Sequence, residues 1–276
     1  MTNRQLMQAA SEQPTRSMPL AFKQTAFAGT DSVISHPSLL QSIGLHLLPG
    51  ALTTAVYALL APIMMASGFP ALFALLLAAL LVLIPCEFGY LLYQAQKNNR
   101  SFSLQGVVLY RQRVPVWQYV VFPLGLLIWG AVISGVISPY ENRIGPALFP
   151  WLPDWFFISG VSQFRAYSRS ALLATFILGL VVNGLVGPIV EELYFRGYWL
   201  PRLSRLGRWA PLLHAVLFSL YHFWAPWQNL SRILLIVPWA YTVWWKRNIY
   251  LGILMHCAID VIGWVLTFGL MLRATP

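Results

Sequence analysis

Between Ser170 and Pro276 the chain carries only three acidic residues, Glu191, Glu192 and Asp260, and each sits inside a long apolar stretch. His222, His256 and Arg196 lie in such stretches as well. Carboxylates and imidazoles that reach one another are suited to taking a proton from water and handing it on, which is hydrolytic chemistry. Their setting makes them costly. An ionisable side chain near the centre of a membrane helix costs about 2.5–3.5 kcal/mol. For Glu191, Glu192, Arg196 and Asp260 together the gross penalty is ~10 kcal/mol, comparable with the whole stability of a domain. Pairing offsets part of this, and what remains favours a functional reading.

Spacing sorts the roles. Adjacent residues on a helix point about 100° apart, so Glu191 and Glu192 are not expected to face one pocket together. Glu192 and Arg196 stand at i, i+4 in the favourable order and read as a buried structural pair. Glu191 is left with no cation at helical spacing, which makes it the candidate base. His256 and Asp260 share a helix face, either as part of a site or as a hydrogen bond between helices. Phe218 and His222 are also i, i+4, and Phe218 is expected to shape the pocket wall. Pro188 withholds a donor from the carbonyl of Gly184, so the helix is expected to kink or open just before Glu191. Such breaks are tolerated where backbone lines a polar cavity.

The elements that must hold these residues are membrane helices. Of the 276 residues 58% are hydrophobic and 9% charged, with a mean hydropathy of +0.64. A soluble domain carries roughly 25% charged residues. Apolar blocks over 42–66, 69–93, 117–138, 171–200, 211–224, 229–245 and 249–271 fit the ~30 Å hydrocarbon layer, the fifth and sixth being short. The expected fold is all-α, a polytopic transmembrane helix bundle with about seven spans. Residues 1–41 read as a polar cytoplasmic tail, and 42–170 as N-terminal membrane helices with an outer interfacial segment. That segment, 139–170, contains Trp151, Trp155, Phe156 and Phe157. Residues 171–276 form the catalytic membrane core. Counted from the spans, Glu191, His222 and Asp260 each lie roughly 15–17 Å along their helices, and His256 ~10 Å, so three helices bring polar groups to one slab.

Loops on one side of these spans hold twelve Lys and Arg residues, and those on the other hold five. That bias puts the N-terminus in the cytoplasm and the C-terminus outside, and the expected location is the inner (plasma) membrane of a bacterium. The net charge of +10 falls in short clusters between apolar blocks rather than in a basic patch, which excludes nucleic acid as a partner. Cys86 and Cys257 read as buried thiols. In the first 170 residues Glu87, beside Pro85, is the one acid expected to be buried. His46 and His214 read as interfacial histidines near span ends, as His36 does in the tail. Trp239, Trp244 and Trp245 read as packing and interface anchors, and Arg202, Arg205 and Arg208 as topology signals.

Three motifs stand in order: E-E-x-x-x-R over Glu191–Arg196, F-x-x-x-H over Phe218–His222, and H-x-x-x-D over His256–Asp260. On successive membrane segments they resemble the CAAX protease and bacteriocin-processing family, also called Abi, which includes the type II CAAX prenyl endopeptidases. The resemblance covers roughly residues 171–271. It implies an intramembrane endopeptidase acting on a peptide or a membrane-anchored protein, prenylated or not, within the lipid bilayer. By motif, Glu191 matches the glutamate that activates water, with His222 assisting. His256 and Asp260 match the pair that stabilises the oxyanion, and Glu192, Arg196 and Phe218 support the site. Prenyl endopeptidases carry Asn where Asp260 stands, and an ionised Asp donates nothing to an oxyanion. Asp260 must then be protonated, orient His256 or bind a metal. The implied cofactor is none or one divalent metal such as zinc, with Glu191, His222, His256 and Asp260 as candidate ligands, although no H-E-x-x-H helix is present. Two other readings are a non-catalytic scaffold or immunity protein of the same family, and an ion or proton transporter. Transporters usually show paired repeats, and none is found.

Overall fold

The computed structural model describes residues 37–157 and 161–274, so the tail expected over residues 1–41 lies outside it as far as residue 36. Eight helices make up the described chain, with no strand among the described residues. They are α1 (Leu39–Ala66), α2 (Ala71–Asn99), α3 (Gln118–Val136), α4 (Ser138–Leu148), α5 (Arg169–Arg202), α6 (Ala210–Leu220), α7 (Asn229–Lys246) and α8 (Ile249–Ala274). Helices α1, α2, α3, α5 and α8 are long and apolar enough to cross a bilayer. The protein is an all-α, polytopic, integral membrane bundle. The two segments expected to be short are α6, of 11 residues, and α7, which carries Arg232 and Lys246.

Local chemistry accounts for the boundaries. The hydroxyl of Ser38 caps α1 by accepting from the Gln41 amide, so that helix starts three residues before position 42. Ser168 caps α5 in the same way through Ala171. Arg100 and Arg247 end α2 and α7 in the left-handed conformation, and Asn248 caps α8 by accepting from the Leu251 amide. The connection between α2 and α3 straps the neighbouring helix ends. Leu109 donates to the Gly197 carbonyl and Ile249 to that of Tyr110.

The main core joins residues of α2, α5, α6, α7 and α8, with Leu91, Phe195, Trp199, Tyr221, Trp239 and Met255 fully or nearly fully buried. In the segment after α4, Trp151 is exposed, whereas Phe156 is buried in a second cluster with Tyr57 and Trp227. Of the four aromatics expected at the interface, Phe156 therefore belongs to the interior.

Candidate active site

Helix α5 is not a uniform α-helix. Its backbone widens into π turns over Val182–Val186 and Glu192–Trp199, leaving one α-helical turn, Gly187–Glu191, between them. The opening expected before Glu191 is present on both sides of it, and π turns in helices often mark functional sites. Gly187 permits this path, since a Cβ there would lie 2.7 Å from the Val182 carbonyl oxygen.

The second π turn begins at Glu192. Glu191 and Glu192 both reach His256 on α8, from opposite edges of its ring. His256 Nδ1 is 3.0 Å from Glu192 Oε1, and Nε2 is 3.7 Å from Glu191 Oε2. The two glutamates do not face one pocket together, as expected: Glu191 lines the cavity and Glu192 is buried on the far edge of the imidazole. Glu192 also accepts from Arg196 Nη1 at 2.5 Å, and both side chains are fully buried, as the spacing predicted. Gly252 on α8 admits this carboxylate, because a Cβ there would collide with Glu192 Oε2. The Arg196 guanidinium lies between two rings, 4.4 Å from the centre of Phe218 and 4.3 Å from that of Trp239. Trp239 packs edge-on against His256 as well. It walls the site rather than anchoring an interface.

Asp260 Oδ2 stands 3.7 Å from His256 Nε2, too far for a hydrogen bond, and accepts instead from Asn183 at 3.4 Å. Glu191 and Asp260 both line a cavity of about 60 Å³, together with Asn183, Pro188, Trp224 and Trp264. That volume holds a few water molecules.

Tyr221 is the residue that spacing did not reveal. It is fully buried, and its hydroxyl donates to Glu191 Oε1 at 2.7 Å. His222, the next residue, makes no ion pair with Glu191, although its ring lies 4.3 Å from that of Tyr221. Its Nδ1 is 2.7 Å from the Phe218 carbonyl oxygen. A carbonyl only accepts, so Nδ1 carries the hydrogen and Nε2 presents a lone pair. Phe218 packs against both His222 and His256, as expected of a wall residue.

The four candidate metal ligands are not gathered as a metal would require. Among the described residues no group of three or more His, Cys, Asp and Glu is placed to hold an ion. His256 turns Nδ1 to Glu192 and His222 turns Nδ1 to a backbone carbonyl, the partners that commonly orient a ligating imidazole, so each ring would offer a metal only its Nε2.

His46 and His214 differ from their expected place at the interface. Both are fully buried, with His46 Nε2 3.4 Å from His214 Nδ1 and His46 Nδ1 2.7 Å from the Ser42 carbonyl oxygen. They pack between α1 and α6 beside Phe195 and Trp199.

Residues 173–262 match the model of the family described as type II CAAX prenyl endopeptidase Rce1-like. The matched stretch contains all three motifs, and the resemblance drawn from them is borne out over those residues. No curated protein and no solved structure matches the chain.

Proposed function

We propose that the chain is an intramembrane endopeptidase that hydrolyses a peptide bond of a membrane-associated protein or peptide, prenylated or not, by means of water activated at Glu191. The observation that carries this reading is the setting of Glu191. Its carboxylate is fixed by the Tyr221 hydroxyl and faces His256, and it shares a water-sized cavity with Asp260. Water entering there loses a proton to Glu191 as its oxygen attacks the scissile carbonyl. The same proton passes to the leaving amine nitrogen when the carbon–nitrogen bond breaks. His222 assists through Nε2, which the Phe218 carbonyl leaves as an acceptor. Glu191 and His222 do not touch and His222 does not line the cavity, so this reading requires that the attacking water reach both.

His256 supplies the donor for the oxyanion. Three carboxyl groups converge on its ring, Glu192 at Nδ1 and Glu191 and Asp260 at Nε2. With Nδ1 turned to Glu192, Nε2 is the ring atom placed to donate to the developing oxyanion. Asp260 then balances and orients His256 and need not donate itself. On this reading Asp serves where prenyl endopeptidases have Asn. The chain lies in a plasma membrane with its N-terminus in the cytoplasm.

The test is a comparison of peptide fragments from a native membrane protein mixture incubated with purified wild type or with Glu191→Gln. Fragments that appear only with wild type support the reading. Identical fragment sets with both proteins refute it and favour a non-catalytic membrane scaffold.

A further inference from the structure

The mechanism gives no task to the polar residue in the first π turn of α5. Asn183 is the only Asn or Gln in that helix. It sits in the Val182–Val186 turn with its side chain exposed, in a segment apolar enough to cross a bilayer. A polar side chain in such a segment is costly, and it either ties helices together or serves a site. Asn183 lines the same cavity as Glu191 and Asp260, and its Nδ2 donates to Asp260 Oδ2 at 3.4 Å. Glycines on either side of it let α8 come close. A Cβ on Gly179 would lie 2.5 Å from the Trp264 ring, and one on Gly184 would lie 3.2 Å from Val261. The amide is therefore held by packed backbone rather than by a loop.

Two nitrogens meet at Asp260 Oδ2. Asn183 Nδ2 comes from α5 at 3.4 Å, and His256 Nε2 stands 3.7 Å away on α8. Both distances are longer than a well-made N–H···O bond, which spans about 2.9 Å. His256 Nε2 is also 3.7 Å from Glu191 Oε2, so this gap adjoins the base. An oxygen met by two nitrogens from different helices, beside a base, is the arrangement that an oxyanion requires. A side-chain amide donates without gaining or losing a proton, whereas a carboxylate has none to give.

We propose that Asn183 is a catalytic residue whose amide, together with His256 Nε2, forms the oxyanion hole. Asp260 Oδ2 is the acceptor that marks its place in the resting protein. As the water oxygen bonds to the scissile carbon, its proton passes to Glu191 and the carbonyl π pair moves onto the carbonyl oxygen. That oxygen takes the Asn183 N–H. When the pair returns, the carbon–nitrogen bond breaks and the nitrogen receives the proton from Glu191. The proposal rests on the endopeptidase reading and adds to it the donor on α5.

The experiment measures kcat, KM and Tm for the full chain in detergent, as wild type, Asn183→Ala and Asn183→Leu. The probe is a fluorogenic peptide spanning a bond that wild type cleaves and Glu191→Gln does not. The expected result is a fall in kcat of about 100- to 1000-fold, the usual loss on deleting one oxyanion donor, with KM and Tm close to wild type. A donor used only in the transition state lowers kcat and kcat/KM alike, whereas a residue that only ties α5 to α8 lowers Tm. Asp260→Asn brings a new amide to the gap, so adding it to Asn183→Ala should recover part of the lost kcat. Near-wild-type kcat in either variant, a change confined to KM, or no recovery in the double variant overturns the proposal. So does a fall in Tm, or a failure to fold, in both single variants. Should Asn183→Ala alone fail to fold, Asn183→Leu decides. A wild type that cleaves no more than Glu191→Gln removes the endopeptidase reading and the proposal with it. A cleaving wild type beside an unimpaired Asn183→Ala counts against the proposal alone.

Discussion

Glu192→Gln isolates the load carried by the buried ion pair. In the native protein Glu192 Oε1 accepts from Arg196 Nη1 at 2.5 Å and lies 3.0 Å from His256 Nδ1, with Arg196 fully buried. Removing one partner of a buried pair costs about 3–5 kcal/mol, because the other charge stays behind unpaired. Two features put this case at the low end. Gln keeps an oxygen that still accepts from both donors, and the rings of Phe218 and Trp239 continue to face the guanidinium. A loss of about 3 kcal/mol corresponds to a fall in Tm of roughly 6–12 °C in a chain of this size. Thermal unfolding in detergent, followed by fluorescence, measures it. The companion is Glu192→Leu combined with Arg196→Met, which removes both charges and should recover most of the lost stability. Cleavage should be absent in that double variant, because His256 has lost its acceptor. Unchanged melting of Glu192→Gln with cleavage abolished would refute the structural assignment and move Glu192 into the chemistry. A double variant no more stable than the single one would refute the reasoning about the stranded charge.

Three further outcomes are expected. Tyr221→Phe deletes one hydrogen bond to a charged group, worth about 1.5–3 kcal/mol, so kcat should fall roughly 10- to 100-fold with Tm nearly unchanged; a wild-type kcat would show that Glu191 needs no such donor. Gly252→Ala places a Cβ against the Glu192 carboxylate, so both yield and cleavage should drop, whereas Gly263→Ala, which meets nothing within 4 Å, should be silent; equal effects would mean that the close approach is unimportant. Reporter fusions at residues 1 and 276 should place the N-terminus in the cytoplasm and the C-terminus outside. Both ends on one side would contradict the charge-bias argument.

Much of the architecture was legible because membrane helices announce themselves locally. Apolar length set α1, α3, α5 and α8 to within a few positions, and i, i+4 spacing identified the Glu192–Arg196 pair. What escaped depends on tertiary contact. Tyr221 carries no signal except its place beside His222, and its value comes from α5 bringing Glu191 within 2.7 Å. Trp239 resembled any membrane tryptophan until Arg196 was seen against its face. The divergence of the two glutamates was legible from spacing, but not that one imidazole would stand between them, since His256 arrives on a separate helix. His46 and His214 sit near helix ends in the sequence, but packing of α1 on α6 buries both. Local pattern carries no information on such burial.

The most direct measurement compares single-turnover cleavage of one identified substrate by wild type, Glu191→Ala, His222→Ala and the double variant, each confirmed to be folded in detergent. If Glu191 and His222 act together on one water, each single variant abolishes cleavage and the double variant is scarcely worse than either, since residues working as a unit are non-additive. Losses that multiply in the double variant, or near-wild-type cleavage by Glu191→Ala, would contradict the glutamate-activated water.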